Sequence, residues 1–346
     1  MHFHWTLVFL LLLTATMEAD ANGPAERDVW FHGANGVTLA GTLTLPAHSP
    51  GLRVPGMVLV AGSGPTDRNG NQGAALHTDL LKQMADSLAQ HGIASLRYDK
   101  RGIGLSQKQP TDAPGLAAFY AWENFVADTT DALCWLQAQP EIDPNRTGLL
   151  GHSEGGLLVL QAAVQWKGMP HPPRVLVLAS TPGRPTDEGL HDQIARLLKL
   201  QQATPEQTRY FLDKNDAICA AIRKTGKVPD DVPPGLAVLY PAYLGKFLHS
   251  LLAVRPAELA TKYRGPVLVL QGAKDVQVSP GKDAKALDAA LRRRKPDTHA
   301  LHIVPNASHN LKLVTSAEEE GFTGAVAPDA LAALPSWLTA HLVSRK

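Results

Sequence analysis

The chain has 346 residues, 44% of them hydrophobic and 19% charged, with 33 Lys and Arg against 32 Asp and Glu. Such a composition belongs to a globular protein with ample core, and so even a charge balance argues against nucleic acid or an anionic membrane surface as a partner. Two cysteines, Cys134 and Cys219, are too few for a disulfide framework or a cysteine metal site; one bridge between them is compatible with the sequence, and Cys134, within a helical pattern, reads as a small buried hydrophobe.

The N-terminus opens with an apolar run from Thr6 to Leu13 that is too short to cross a bilayer as a helix. Ala19-Asp20-Ala21 follows at the distance of a small-x-small cleavage site. A signal peptide over residues 1–21 is therefore expected, although Met1 to Trp5 carries no Lys or Arg. The mature chain is expected in the periplasm or outside the cell, with no stable membrane insertion after cleavage.

Next, Val29 to His32 and Val37 to Pro46 flank Asn35-Gly36, the strongest short-range hairpin signal. Pro55 to Ala61 reads as a buried strand that runs into the turn-rich loop Gly62 to Asn71. A helix over Leu80 to Leu88, a strand over Ile93 to Tyr98 and a helix over Phe125 to Leu136 follow. Thr147 to Leu150, Val175 to Ala179 and Pro266 to Leu270 are further continuous apolar runs, and His302 to Val304 is a shorter one. Asp329 to Val343 reads as a closing helix that Pro335 should kink or divide. Strands that are apolar throughout and alternate with helices specify an α/β fold, with a mostly parallel sheet and helices on both faces.

Residues 185–263 break this alternation with amphipathic helical patterns split by a Pro-rich stretch, Val228 to Gly235. We read this segment as a helical cap over the C-terminal ends of the strands, walling the substrate pocket. Residues 22–184 and 264–346 are then the two parts of one core. The cluster Arg292-Arg293-Arg294-Lys295 reads as a solvated helix end.

The chemistry centres on Gly151-His152-Ser153-Glu154-Gly155, a G-x-S-x-G sequence between a strand and a helix. Such an elbow holds its serine in a strained turn at a helix N-terminus, whose free N–H groups favour negative charge. A serine hydroxyl needs a base to take its proton and a carboxylate to orient that base, in the order Ser, acid, His on this fold. Asp275 lies in the loop after the strand ending at Leu270, and His309 in the loop after the strand ending at Val304. Asp283 and Asp288, on the helix that follows, are expected to be solvated, and His299 and His302 to serve packing or the surface. The oxyanion donors are expected from the backbone N–H groups of Ser63, in Gly62-Ser63-Gly64, and of Glu154. No metal or cofactor is implied, and no phosphate-loop spacing follows Gly62-Ser63-Gly64.

Beyond the elbow, Gly62-Ser63-Gly64-Pro65-Thr66-Asp67-Arg68-Asn69-Gly70 resembles the G-S-G-P-x-D-R-D/N-G loop, and Asp99-Lys100-Arg101-Gly102-Ile103-Gly104-Leu105-Ser106 the D-x-R-G-x-G-x-S loop, of bacterial α/β-hydrolase-fold esterases in the serine-aminopeptidase-like branch. With Asp275 and His309 the resemblance covers roughly Val29 to Leu342. It implies the α/β-hydrolase fold and a serine hydrolase cleaving small-molecule carboxylic esters through an acyl-enzyme. An aminopeptidase or amidase on the same triad is the alternative within the fold, and a non-catalytic binding protein the alternative outside it. One departure stands out: Ala61 replaces the His that many lipases and esterases of the fold carry before the oxyanion glycine, while the N–H donor is retained.

Overall fold

A computed structural model of the chain describes residues 24–73, 76–295, 297–316, 319 and 321–343; the expected signal peptide lies outside them. Strands β1 (Ala25–His32) and β2 (Thr38–Leu45) pair antiparallel around the Asn35-Gly36 turn, where φ is 60° and 72°, two successive left-handed residues that this dipeptide tolerates well. The core continues with β3 (Val54–Val60), α1 (Leu80–Gln90), β4 (Ala94–Tyr98), α2 (Ala113–Phe119), α3 (Trp122–Gln137), β5 (Ile142–His152), α4 (Glu154–Gln165) and β6 (Val175–Ala179). Three helices follow, α5 (Thr186–Leu200), α6 (Pro205–Thr225) and α7 (Gly245–Ala253). The chain then closes with α8 (Pro256–Lys262), β7 (Val267–Gly272), α9 (Lys285–Arg292), β8 (His299–Val304) and α10 (Pro328–Leu338).

The eight strands form one sheet in the order β1-β2-β4-β3-β5-β6-β7-β8. Only the β1–β2 and β2–β4 pairs are antiparallel. Side-chain alternation along each strand feeds two cores: Val58, Val60, Leu149 and Leu176 face α3, α4 and α9, while Met57, Leu59, Leu150 and Val177 face α1 and α10. Each such fully buried side chain contributes about 1.5–3 kcal/mol, and burial on both faces explains why these strands read as unbroken apolar runs.

The helical segment has its own core, in which Ile194, Leu198, Ile218, Ile222, Leu248 and Leu252 pack together. Thr204 and Gln207 form a capping box at the start of α6, and Gly226 ends that helix at φ 69°. Helix α8 packs on α4 and α9 of the main core, through Ala260, and α7 bridges the two cores, giving Leu251 to the main one and Leu248 and Leu252 to the helical one.

Four local expectations need correction. Pro335 does not divide the closing helix: α10 runs through it and widens into a π-turn over Thr339–Val343. The carbonyl of Leu331, whose helical donor Pro335 lacks, accepts the Ser87 hydroxyl of α1 instead at 3.1 Å. Asp283 is buried rather than solvated, accepting from the backbone N–H groups of Gly183, Arg184 and Ser279 and from the Arg184 guanidinium. Asp288 accepts from Arg292 and joins His299 at 2.9 Å. Arg294 is also buried, its guanidinium donating to the carbonyls of Tyr263 and Gly265. Cys134 and Cys219 are both free thiols; the first is half-buried and the second buried.

Candidate active site

Ser153 sits at the junction of β5 and α4 with φ 54° and ψ −123°, a conformation that costs a non-glycine residue on the order of 1–3 kcal/mol. The turn is tight because glycines surround it. A Cβ on Gly151 would run into the carbonyl of Gly155, and one on Gly155 into the carbonyl of Val60. The N–H of Ser153 is anchored on the Ala179 carbonyl of β6 at 2.9 Å. The elbow is therefore clamped between its two neighbouring strands.

Asp275 follows β7 and His309 follows β8, and their side chains meet: His309 Nδ1 donates to Asp275 Oδ2 at 2.9 Å. A carboxylate only accepts, so Nδ1 carries the proton and Nε2 is left with its lone pair. Gln271 Nε2 donates to the same Asp275 oxygen, and the N–H groups of Gln277 and Val278 donate to the other, each at 2.8 Å. Burial of Asp275 favours its neutral form, but His309 and the two N–H groups outweigh it and hold the carboxyl below its usual range. Ser153, His309, Gly62 and Ser63 line one cavity of about 190 Å³. Ser153 Oγ makes no hydrogen bond among the described residues, and the N–H groups of Ser63 and Glu154 likewise have no acceptor there.

Competing residues are engaged elsewhere. His299 is held by Asp288 and Asp297, and His302 by Asp329. His152, the x of the elbow, was not singled out by the sequence. Its ring lies 4.8 Å from that of His309, and its Nε2 donates to the His309 carbonyl at 3.0 Å.

The two motif loops interlock beside the elbow. Arg68 donates from its backbone N–H and its guanidinium to Asp99, both at 2.8 Å, and also reaches Asp28 and Thr42 of the hairpin. Arg101 makes a two-pronged pair with Asp128 of α3, at 2.7 and 2.8 Å. The Ser63 carbonyl accepts from Thr66 and Gln72. Lys100 is buried, with Nζ 2.6 Å from the Gly62 carbonyl oxygen and 3.7 Å from the Glu154 carboxylate. A lysine in such a loop reads as solvated, so the sequence offered no signal for this contact.

A second cavity of about 250 Å³ flanks the elbow on the side of Glu154. Tyr120 and Phe125 wall it from the core and Tyr243 and Phe247 from the helical segment, and Lys100 and Glu154 also line it. Tyr120 and Phe125 stack at 6.3 Å, and Tyr243 and Phe247 meet them at 5.7 and 5.6 Å. Spacing along the sequence does not reveal this box, because its rings come from two stretches about 120 residues apart.

The sheet order, the elbow after its central strand and the loops carrying Asp275 and His309 after β7 and β8 define an α/β-hydrolase fold. Known structures agree: GrgF of Penicillium sp. sh18 superposes with a TM-score of 0.56 at 19% identity over 92% of this chain and all of that one. Est1E of Butyrivibrio proteoclasticus, solved with ferulic acid, superposes at 0.57 and 17% identity over 91% of this chain and all of its own. The family described as Serine aminopeptidase, S33 matches residues 71–313, and the chain belongs to that family. The esterase EstD of Thermotoga maritima is 28% identical over 255 residues, 73% of this chain and 53% of its own. The chain thus spans about half the length of that relative.

Proposed function

We propose that this protein is a serine hydrolase that cleaves carboxylic esters of small molecules. The observation that carries the reading is the Asp275–His309 pair, which leaves His309 Nε2 as an acceptor in the cavity that Ser153 also lines. Ser153 Oγ attacks the acyl carbonyl as His309 takes its proton; the N–H groups of Ser63 and Glu154 receive the developing oxyanion, and Asp275 stabilises the imidazolium. Collapse breaks the ester C–O bond, and His309 returns the proton to the leaving alcohol. A water deprotonated by the same imidazole then attacks the acyl-enzyme, releasing the acid and restoring the Ser153 hydroxyl.

The aromatic cavity supports an apolar or aromatic group as the part of the substrate held beside the elbow. Its one carboxylate, Glu154, is matched by Lys100 at 3.7 Å, so the cavity offers no unpaired negative charge to an aminoacyl ammonium group. This favours an ester over the aminopeptidase alternative. A scaffold that only bound ligands would have no use for the strain at Ser153. We take residues 185–263 to act as the cap of this pocket, a role supported by Tyr243 and Phe247 in its wall. Export to the periplasm or beyond rests on the N-terminal sequence pattern.

The test is hydrolysis of p-nitrophenyl esters of increasing acyl length by the wild type and by Ser153→Ala. We expect the substitution to reduce kcat by at least about 10³-fold. Equal rates in the two proteins, or no turnover by either, would sink the assignment.

A further inference from the structure

Lys100 Nζ donates at 2.6 Å to the carbonyl oxygen of Gly62. That carbonyl and the Ser63 N–H belong to the same peptide unit. A trans peptide is planar, and its C=O and N–H point to opposite sides. Whatever fixes the one therefore aims the other. Ala61 brings no side-chain donor to this loop, and Gly62 has no side chain to brace it. The Ser63 carbonyl, at the far end of the residue, is held separately by Thr66 Oγ1 at 2.7 Å and Gln72 Nε2 at 3.1 Å.

The same ammonium lies 3.7 Å from the carboxylate of Glu154, whose backbone N–H is the other proposed oxyanion donor. One buried side chain thus spans both halves of the oxyanion site, from the loop after β3 to the first turn of α4. Side-chain exposure is 5% for Lys100 and 13% for Glu154, so little water competes for either contact. A charged donor on a peptide oxygen also draws electron density through the amide and makes its N–H a stronger donor.

We propose that Lys100 is the positioning residue of the oxyanion hole: it fixes the Gly62–Ser63 peptide and, through Glu154, joins it to the elbow. It acts through Ser63 and Glu154 rather than by touching the reacting atoms. The inference rests on the serine-hydrolase reading, and its test separates the two.

The wild type, Lys100→Met and the double variant Lys100→Met/Glu154→Gln are titrated with a p-nitrophenyl alkylphosphonate to count reactive serines, and ester turnover is then expressed per titrated site. The double variant leaves no buried carboxylate unpaired, so it separates positioning from folding. We expect kcat per site to fall about 10- to 100-fold in both variants with KM little changed. Affinity for an alkyl trifluoromethyl ketone, which mimics the tetrahedral adduct, should fall by a similar factor. Unchanged kcat per site, with only the number of sites reduced, would mean that Lys100 merely supports the fold. A raised KM at constant kcat would make it a substrate contact. Either result overturns the proposal. A wild type that the phosphonate does not label at Ser153 would overturn the hydrolase reading, and the role of Lys100 with it.

Discussion

The imidazole of His152 donates from Nε2 to the main-chain carbonyl of His309 at 3.0 Å, so the residue before the elbow serine braces the loop that carries His309. The ring is buried. Burial above all, with His309 beside it, pushes its pKa from the ordinary 6.5 down to about 3, so it stays neutral at neutral pH.

That depression has a stability consequence with a definite sign. Below about pH 6.5 the unfolded chain protonates His152, whereas the folded protein does so only near pH 3. The unfolded state therefore binds more protons in this window, and stability falls as the pH drops through it, by up to about 1.4 kcal/mol per unit. His152→Gln keeps an N–H donor for the His309 carbonyl and removes the titration. Urea unfolding of the two proteins from about pH 6.5 down to pH 4 should show a shallower loss in the variant; equal slopes would mean that His152 is protonated in the folded state.

The pair between Arg101 and Asp128 should dominate the response of the fold to charge removal. Both side chains are 1% exposed, and Asp128 also accepts from the Ala34 N–H at 2.9 Å, tying α3 to the N-terminal hairpin. Asp128→Ala strands a buried guanidinium and is expected to cost about 3–5 kcal/mol. Joint replacement by apolar residues, Arg101→Met with Asp128→Leu, should recover most of that loss. Urea midpoints measure both, and a double variant as unstable as the single one would show that the loss arises from packing rather than from the unpaired charge.

Gly104 makes a sharper case than its surface counterparts. It has φ 51°, and a Cβ there would run into the Asp99 carboxylate that holds Arg68 and the Leu105 N–H. Gly51 has φ 80° with open space around it. Gly51→Ala should therefore cost only the backbone strain, about 1–2 kcal/mol. Gly104→Ala should cost clearly more and lower ester turnover, because the Arg68–Asp99 link joins the two loops beside the elbow. Equal destabilisation would show that the Asp99 carboxylate moves aside freely.

What the sequence made legible was local. The elbow, the apolar strands and the loops holding Asp275 and His309 are each read within a dozen residues, and the structure brings Asp275 to His309 as the chain order predicts. What it hid depends on distant segments meeting. Lys100 is buried because Gly62 and Glu154 close around it. Asp283 sits at a helix start yet serves Gly183 and Arg184, about a hundred positions earlier. Helix α2 is not legible in the sequence because Pro114 and Gly115 lie in its first turn, where proline is tolerated and glycine reads as a break.

Tyr243 offers a way to read how far the helical segment sets substrate choice. Its ring meets Tyr120 at 5.7 Å in the wall of the aromatic cavity, yet the residue is 38% exposed, so removing it opens the wall without emptying a core. For Tyr243→Ala we expect folding stability within about 1 kcal/mol of wild type. We expect an acetyl ester, the smallest of the series, to be turned over nearly as before. A longer or aryl acyl group loses one face of its contact, worth on the order of 1–2 kcal/mol, so kcat/KM for those esters should fall about 5- to 30-fold, mainly through KM. A uniform loss across the ester series would instead place the ring's effect on the elbow, and no loss at any length would remove the helical segment from substrate recognition.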